Sequence, residues 1–124
     1  MIWPLMVDNN AMIEYVQTCV VRDEHRGQFE LSFGPGGAWS RIFARSPGFY
    51  GITLLRNGDE PRRYVVIEVW EDRTQREAAI ASNQREYADF LPRLERWIES
   101  RQDLGIFTRL AEAGVRPQRK PRRR

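Results

Sequence analysis

Apolar positions in this chain fall into short blocks whose spacing alternates between period two and a helical period. The clearest block is Arg63 to Asp72 (RYVVIEVWED). Five of its six positions from Tyr64 to Val69 are β-branched or aromatic, the composition of a strand. Apolar residues lie on both parities, so both faces are covered and the strand is central. Tyr64, Val66, Glu68 and Trp70 share one face, which mixes a carboxylate with amphipathic aromatics and predicts a cleft. Val65, Ile67 and Val69 make the other face purely aliphatic, a dry packing surface. Asp72 is positioned as the N-cap of a following helix, with Gln75 three residues on.

Met12 to Val21 (MIEYVQTCVV) reads as the first strand. Asp23 is expected to cap a helix carrying Phe29 and Phe33 at i, i+4 spacing. Gly34-Pro35-Gly36-Gly37 must interrupt that helix, which resumes from Ala38 to Arg45 with Trp39, Ile42 and Phe43 on one stripe. Phe49 to Arg56 (FYGITLLR) forms the second strand, and Asn57-Gly58 starts a hairpin turn into the central one. From Arg73 to about Arg101 the period is helical. Ile80, Asn83, Tyr87, Leu91, Leu94 and Ile98 lie on one stripe, and a kink is expected at Pro92. Leu104 to Leu110 is the fourth strand, or else a helical extension.

The resulting order is βαββαβ, the split arrangement of the ferredoxin-like α+β fold, an antiparallel sheet with both helices on one face. Residues 12–110 form this domain, 1–11 a loose N-terminal arm and 111–124 a basic, disordered tail. Helices on one side leave Val65, Ile67 and Val69 exposed on the other. An apolar patch of sheet size is rare on a monomer, which predicts a homodimer through the helix-free face.

The 124 residues suffice for one core and carry 20 basic against 17 acidic side chains. Six of the basic ones stand in the last ten residues, and without them the body has 14 against 17. The excess of positive charge thus belongs to the tail, and the body offers no nucleic-acid-binding face. A tail of six charges without interleaved aromatics supports non-specific contact with polyanions at most. One cysteine, Cys19, excludes an internal disulfide and fits a reducing cytoplasm. With His25 the only histidine, no metal site is expected. No stretch is long enough to span a membrane.

The runs Gly34-Pro35-Gly36-Gly37-Ala38-Trp39-Ser40-Arg41-Ile42-Phe43, Ser46-Pro47-Gly48-Phe49 and Arg63-Tyr64 through Glu68-Val69-Trp70-Glu71, with Tyr87 beyond them, resemble the antibiotic biosynthesis monooxygenase (ABM) domain family. The resemblance covers roughly residues 12 to 110. It implies a dimeric α+β barrel of ferredoxin-like type, and either a cofactor-free oxygenase of phenols and quinols or a heme-degrading enzyme. The heme branch takes its iron ligand from a histidine on the second helix. Residues 73–101 contain none, which disfavours that branch.

The resemblance also places Trp70 in a cleft that binds a flat aromatic; otherwise Trp70 is core. Glu68 is either the base that removes a phenolic proton or half of a structural ion pair, with Arg41 as its candidate partner. Asn83 and Tyr87 would orient a substrate oxygen or be satisfied by nearby backbone. Trp39, Phe43, Tyr50 and Phe90 form an aromatic wall of the cavity or simply core. The expected activity is a cofactor-independent monooxygenation of a flat hydroxylated aromatic. A non-catalytic binding or regulatory dimer is the alternative.

Overall fold

The computed structural model describes residues 12–114. The arm expected over 1–11 and the basic residues after Gly114 lie outside that range. Four strands and four α-helices follow in the order β1 (Ile13–Val21), α1 (Arg26–Phe33), α2 (Ala38–Phe43), β2 (Phe49–Arg56), β3 (Arg63–Trp70), α3 (Arg73–Ser82), α4 (Gln84–Trp97) and β4 (Ile98–Thr108). The sheet order is β2-β3-β1-β4 with every neighbouring pair antiparallel, which is the ferredoxin-like fold.

The parity of β3 decides how the layers pack. Tyr64, Val66, Glu68 and Trp70 are each 2% exposed or less, while Val65, Ile67 and Val69 are half-buried. Ile13, Tyr15, Gln17 and Cys19 of β1 pair with Trp70, Glu68, Val66 and Tyr64, so these residues share the inward face. Against it pack Phe29, Phe33, Trp39, Phe43, Phe90 and Leu94 from the helices. The ring of Phe43 lies edge-on to Trp39 and to Trp70, with centroids 5.5 Å away in each case. Burial of large rings in this geometry supplies most of the favourable packing free energy, at roughly 25 cal/mol per Å² of apolar surface.

The glycine-rich break does steric work. A Cβ on Gly37 would lie 2.0 Å from the Leu31 carbonyl oxygen, so only glycine lets α2 start so close to α1. Ser40 then donates its hydroxyl to the Phe33 and Gly34 carbonyls, tying α2 to the end of α1.

Several local expectations are corrected. Asp23 opens a short 3-10 turn (Asp23–His25) and makes no cap bond to a helix. The second helical segment breaks at Asn83 and continues through Pro92, which sits inside α4. Asn83 leaves helical geometry while its side-chain amide donates to the Ala79 carbonyl, so the chain turns there without stranding that donor. The segment from Ile98 to Arg101 is strand, not helix: β4 is longer and more polar than anticipated.

Candidate active site

Glu68 is a carboxylate at the middle of the sheet, 1% exposed. Its Oε1 accepts from the Trp70 indole Nε1–H at 2.9 Å and from the Arg76 Nε–H at 3.2 Å. Its Oε2 is buried without a partner. The ion-pair reading therefore holds in form but with a different cation. Arg41 is exposed on α2, on the far side of the helical layer. Arg76 reaches Glu68 because Asp72 caps α3, accepting from the Gln75 amide at 2.8 Å, and this fixes the helix's first turns over the end of β3. Burial pushes the Glu68 carboxyl above its ordinary range; the Arg76 charge and the Trp70 hydrogen bond oppose that shift without cancelling it.

The network extends to the neighbouring strands. The Arg76 guanidinium stacks on the Tyr15 ring, 3.9 Å from its centroid, a cation–π contact. The Tyr15 hydroxyl donates to Asp103 Oδ2 at 2.8 Å. Burial, followed by the Asp103 carboxylate, raises the Tyr15 pKa well above its usual value. One chain of polar contacts thus crosses α3, β3, β1 and β4.

A cavity of about 100 Å³ lies beside this network. The sheet contributes Tyr15, Gln17, Cys19, Val66, Arg101 and Asp103 to its wall, and the helices contribute Phe33, Trp39, Tyr87 and Leu94. Trp39 is 3% exposed and its indole N–H has no acceptor. Trp39 and Tyr87 rings meet with centroids 5.4 Å apart. Burial holds the Cys19 thiol protonated by pushing its pKa up to about 11. The volume is on the scale of a single aromatic ring. A larger open cleft of about 560 Å³ lies by the hairpin end of the sheet, near Arg26, Glu30, Arg56 and Tyr64. Its polar groups are already engaged: Tyr64 donates to Glu30, and Arg56 pairs with Glu30 at 3.5 Å.

Of the residues singled out from the sequence, Trp39 and Tyr87 line the cavity. Trp70, at 0% exposure, sits beneath Phe43 and Phe49 as core, bonded to Glu68. Phe43 and Phe90 are buried core rings. Tyr50 is 61% exposed: the β2–β3 register jumps between Phe49 and Gly51, and Phe49 takes the inward place beside Trp70. Asn83 is satisfied by Ala79 and Ser46. Reasoning from sequence missed Arg76 as the partner of Glu68, and missed Tyr15, Arg101 and Asp103 as wall. Tyr15 shared the parity of Cys19, a usable signal; Arg101 and Asp103 lay in a segment read as helix end and loop. Among the described residues no group of three His, Cys, Asp or Glu is placed to hold a metal, and no helix is long and apolar enough to cross a membrane.

A family model described as antibiotic biosynthesis monooxygenase matches residues 12–90. Among solved structures, a mutant form of SnoaB from Streptomyces nogalater, titled a cofactor-independent oxygenase, is similar at 27% identity. That match covers 82% of this chain and 96% of SnoaB, with a TM-score of 0.65. A putative antibiotic biosynthesis monooxygenase from Nitrosomonas europaea, at 20% identity, covers 85% of this chain and 96% of its own with a TM-score of 0.65, and bears on fold alone. No curated protein matches the chain.

Two outcomes test the electrostatics. Arg76→Met should destabilise the fold by roughly 3–5 kcal/mol in urea denaturation at neutral pH, because it strands a buried carboxylate; a loss under about 1 kcal/mol would mean that the pair carries little. Because the folded-state pKa of Glu68 is raised, the native protein binds more protons than the unfolded chain only at pH values between the ordinary and the raised pKa. Stability should therefore fall as pH rises from the ordinary carboxylate range through the raised value. Glu68→Gln should flatten that part of the wild-type slope in melts run from about pH 4 to 8, and an unchanged slope would contradict the assignment.

Proposed function

Since the chain belongs to the antibiotic biosynthesis monooxygenase family, we propose that it is a cofactor-independent monooxygenase of a flat hydroxylated aromatic or quinol. The observation that carries this reading is the cavity between sheet and helices, walled by Trp39 and Tyr87 and edged by polar groups of β1 and β4. Such a pocket combines apolar faces for a ring with a few placed hydrogen-bonding groups. Its size favours a monocyclic quinol, or a fused system whose remaining rings stay outside the mouth.

Triplet oxygen reacts poorly with closed-shell organics, so the protein must favour an electron-rich anion. Loss of a hydroxyl proton gives that anion, whose carbon bonds one oxygen atom of O₂. The second oxygen leaves as water, and the substrate supplies all four electrons. A quinol thereby becomes a hydroxyquinone without an added reductant. The protein's share is positioning, a proton acceptor and exclusion of bulk water. In this reading Trp39 is the stacking wall, with Tyr87 beside it. Glu68 acts at a distance, fixing Arg76 over Tyr15, while Trp70, Phe43, Phe90 and Asn83 hold the scaffold.

Oxygen uptake by purified protein across a panel of hydroquinones and anthrones, with no cofactor added, tests the proposal. Hydroquinones should be consumed, and Tyr87→Phe should lower kcat/KM about tenfold, the worth of one orienting hydrogen bond. A second reading, a non-catalytic ligand-binding dimer, draws on the sealing of Trp70 into the core. Ligand binding with no uptake across the panel would establish it.

The aliphatic outer face supports association through the sheet. Val65, Ile67 and Val69 remain only half-covered, and Leu55 and Phe107 on the flanking strands are 49% and 52% exposed. A second copy packed there would remove this surface from water. Sedimentation should report a dimer, and Ile67→Lys should shift it to monomer; a wild-type monomer at micromolar concentration would exclude the arrangement.

A further inference from the structure

We propose that Asp103, turned into the cavity by a bulge in β4 and bonded by Tyr15, accepts the hydroxyl proton of a phenolic ligand. The inference rests on the reading of this cavity as a site for a hydroxylated ring, and names the group on which that chemistry depends.

A phenol entering the cavity must place its hydroxyl hydrogen on an acceptor. Glu68 is poorly placed for this: it is absent from the cavity wall, and its Oε1 already takes two donors. Asp103 is the only carboxylate among the described residues that line the cavity. Its Oδ2 accepts from Tyr15 at 2.8 Å and its Oδ1 from the Gly105 amide at 2.8 Å. Each oxygen keeps a second acceptor site. The two donors fix the carboxylate's orientation without consuming its capacity.

Its inward aim is the product of one extra residue. Val16 pairs with Gly105 but Gln17 pairs with Asp103, so Leu104 is left over. With regular pairing Leu104 would stand opposite Gln17 and face the cavity, and Asp103 would face away. The bulge reverses this, leaving Leu104 44% exposed. Gly105, at φ 104°, supplies the backbone conformation that permits it. Bulges commonly re-aim a side chain beside a site. The same reversal brings Arg101 inward, opposite Cys19, where its guanidinium offsets charge developing on the ligand.

The step is a proton transfer. The ligand O–H bond breaks, the proton passes to an Asp103 carboxylate oxygen, and the electron pair remains on the ligand oxygen. One ring hydroxyl giving a hydrogen bond to a fixed carboxylate is what a phenol or a quinol can supply.

Fluorine NMR of the full chain with 4-fluorophenol and 4-fluoroanisole separates this role from bulge-capping, since the ether fills similar space but has no proton to give. Wild-type protein should bind the phenol roughly tenfold more tightly, the worth of a hydrogen bond to a charged acceptor. Asp103→Asn retains an oxygen for the Gly105 amide. It should reduce the preference to about twofold or less while leaving anisole affinity unchanged. Tyr15→Phe, which frees the carboxylate to rotate, should erode the preference in part. Full preference retained in Asp103→Asn would overturn the proposal, as would a parallel loss of anisole binding, which would mark a structural role only. Lack of any wild-type preference for the phenol would overturn it as well. Hydroquinone-dependent oxygen uptake by the wild type, measured alongside, tests the oxygenase reading separately. A preference lost in Asp103→Asn without uptake upholds this inference and removes that reading; uptake with the preference intact does the reverse.

Discussion

A charge buried in the middle of a sheet must be answered by its neighbours, and in this protein the neighbours of Glu68 set the layout. Taking a carboxylate out of water costs several kcal/mol unless hydrogen bonds and an opposite charge replace the lost hydration. Trp70 and Arg76 do so from opposite sides of the β3–α3 junction. The Asp72 cap fixes where α3 begins, and the bond to Glu68 fixes where the Arg76 plane lies. That plane rests on Tyr15, and Tyr15 in turn bonds Asp103 at the sheet edge. The pair is a costly way to hold a helix against a sheet, since apolar side chains of similar volume would do it at least as well. What it supplies instead is orientation, carried from the core to the cavity rim.

Much of this fold was legible in the residues themselves. The β-branched and aromatic runs of β1, β2 and β3 mark them as strands, and the parity of β3 separates its buried face from its half-buried one, while Gly34 to Gly37 mark where α2 starts close against α1. β4 resisted the same treatment. Its first half, Glu99 to Asp103, is polar at every position, as an edge strand with one wet face can be. Two register shifts against β1 then scramble whatever alternation remained. The segmentation of α3 and α4 was hidden for a different reason: Pro92 is the stronger local breaker, but the break falls at Asn83, whose side-chain amide donates to Ala79 and Ser46.

The site was less legible than the fold, because its pairings are tertiary. Glu68 needed an arginine, and sequence offered many; only the cap at Asp72 and the resulting height of α3 select Arg76 over Arg41. Trp70 was ambiguous between cleft and core because parity assigns a face and not a depth. Phe43 and Phe49 close over it, and the accessible aromatic wall passes to Trp39. Tyr15 could be seen to share a parity with Cys19, but its place opposite Glu68 is set by the β1–β3 register, and its partner Asp103 lay in a segment whose strand character was obscured.

The leftover residue at Leu104 has a genetic consequence. Because the bulge already places Gly105 outward and Asp103 inward, deletion of codon 104 would leave a regular strand with the same side chains facing in. The gene can therefore gain or lose a codon at this point without changing what the cavity displays. An alignment of two such chains that admits no gap there would set Asp103 against a residue that points the other way. The acid at the rim would then pass for a solvent-facing substitution.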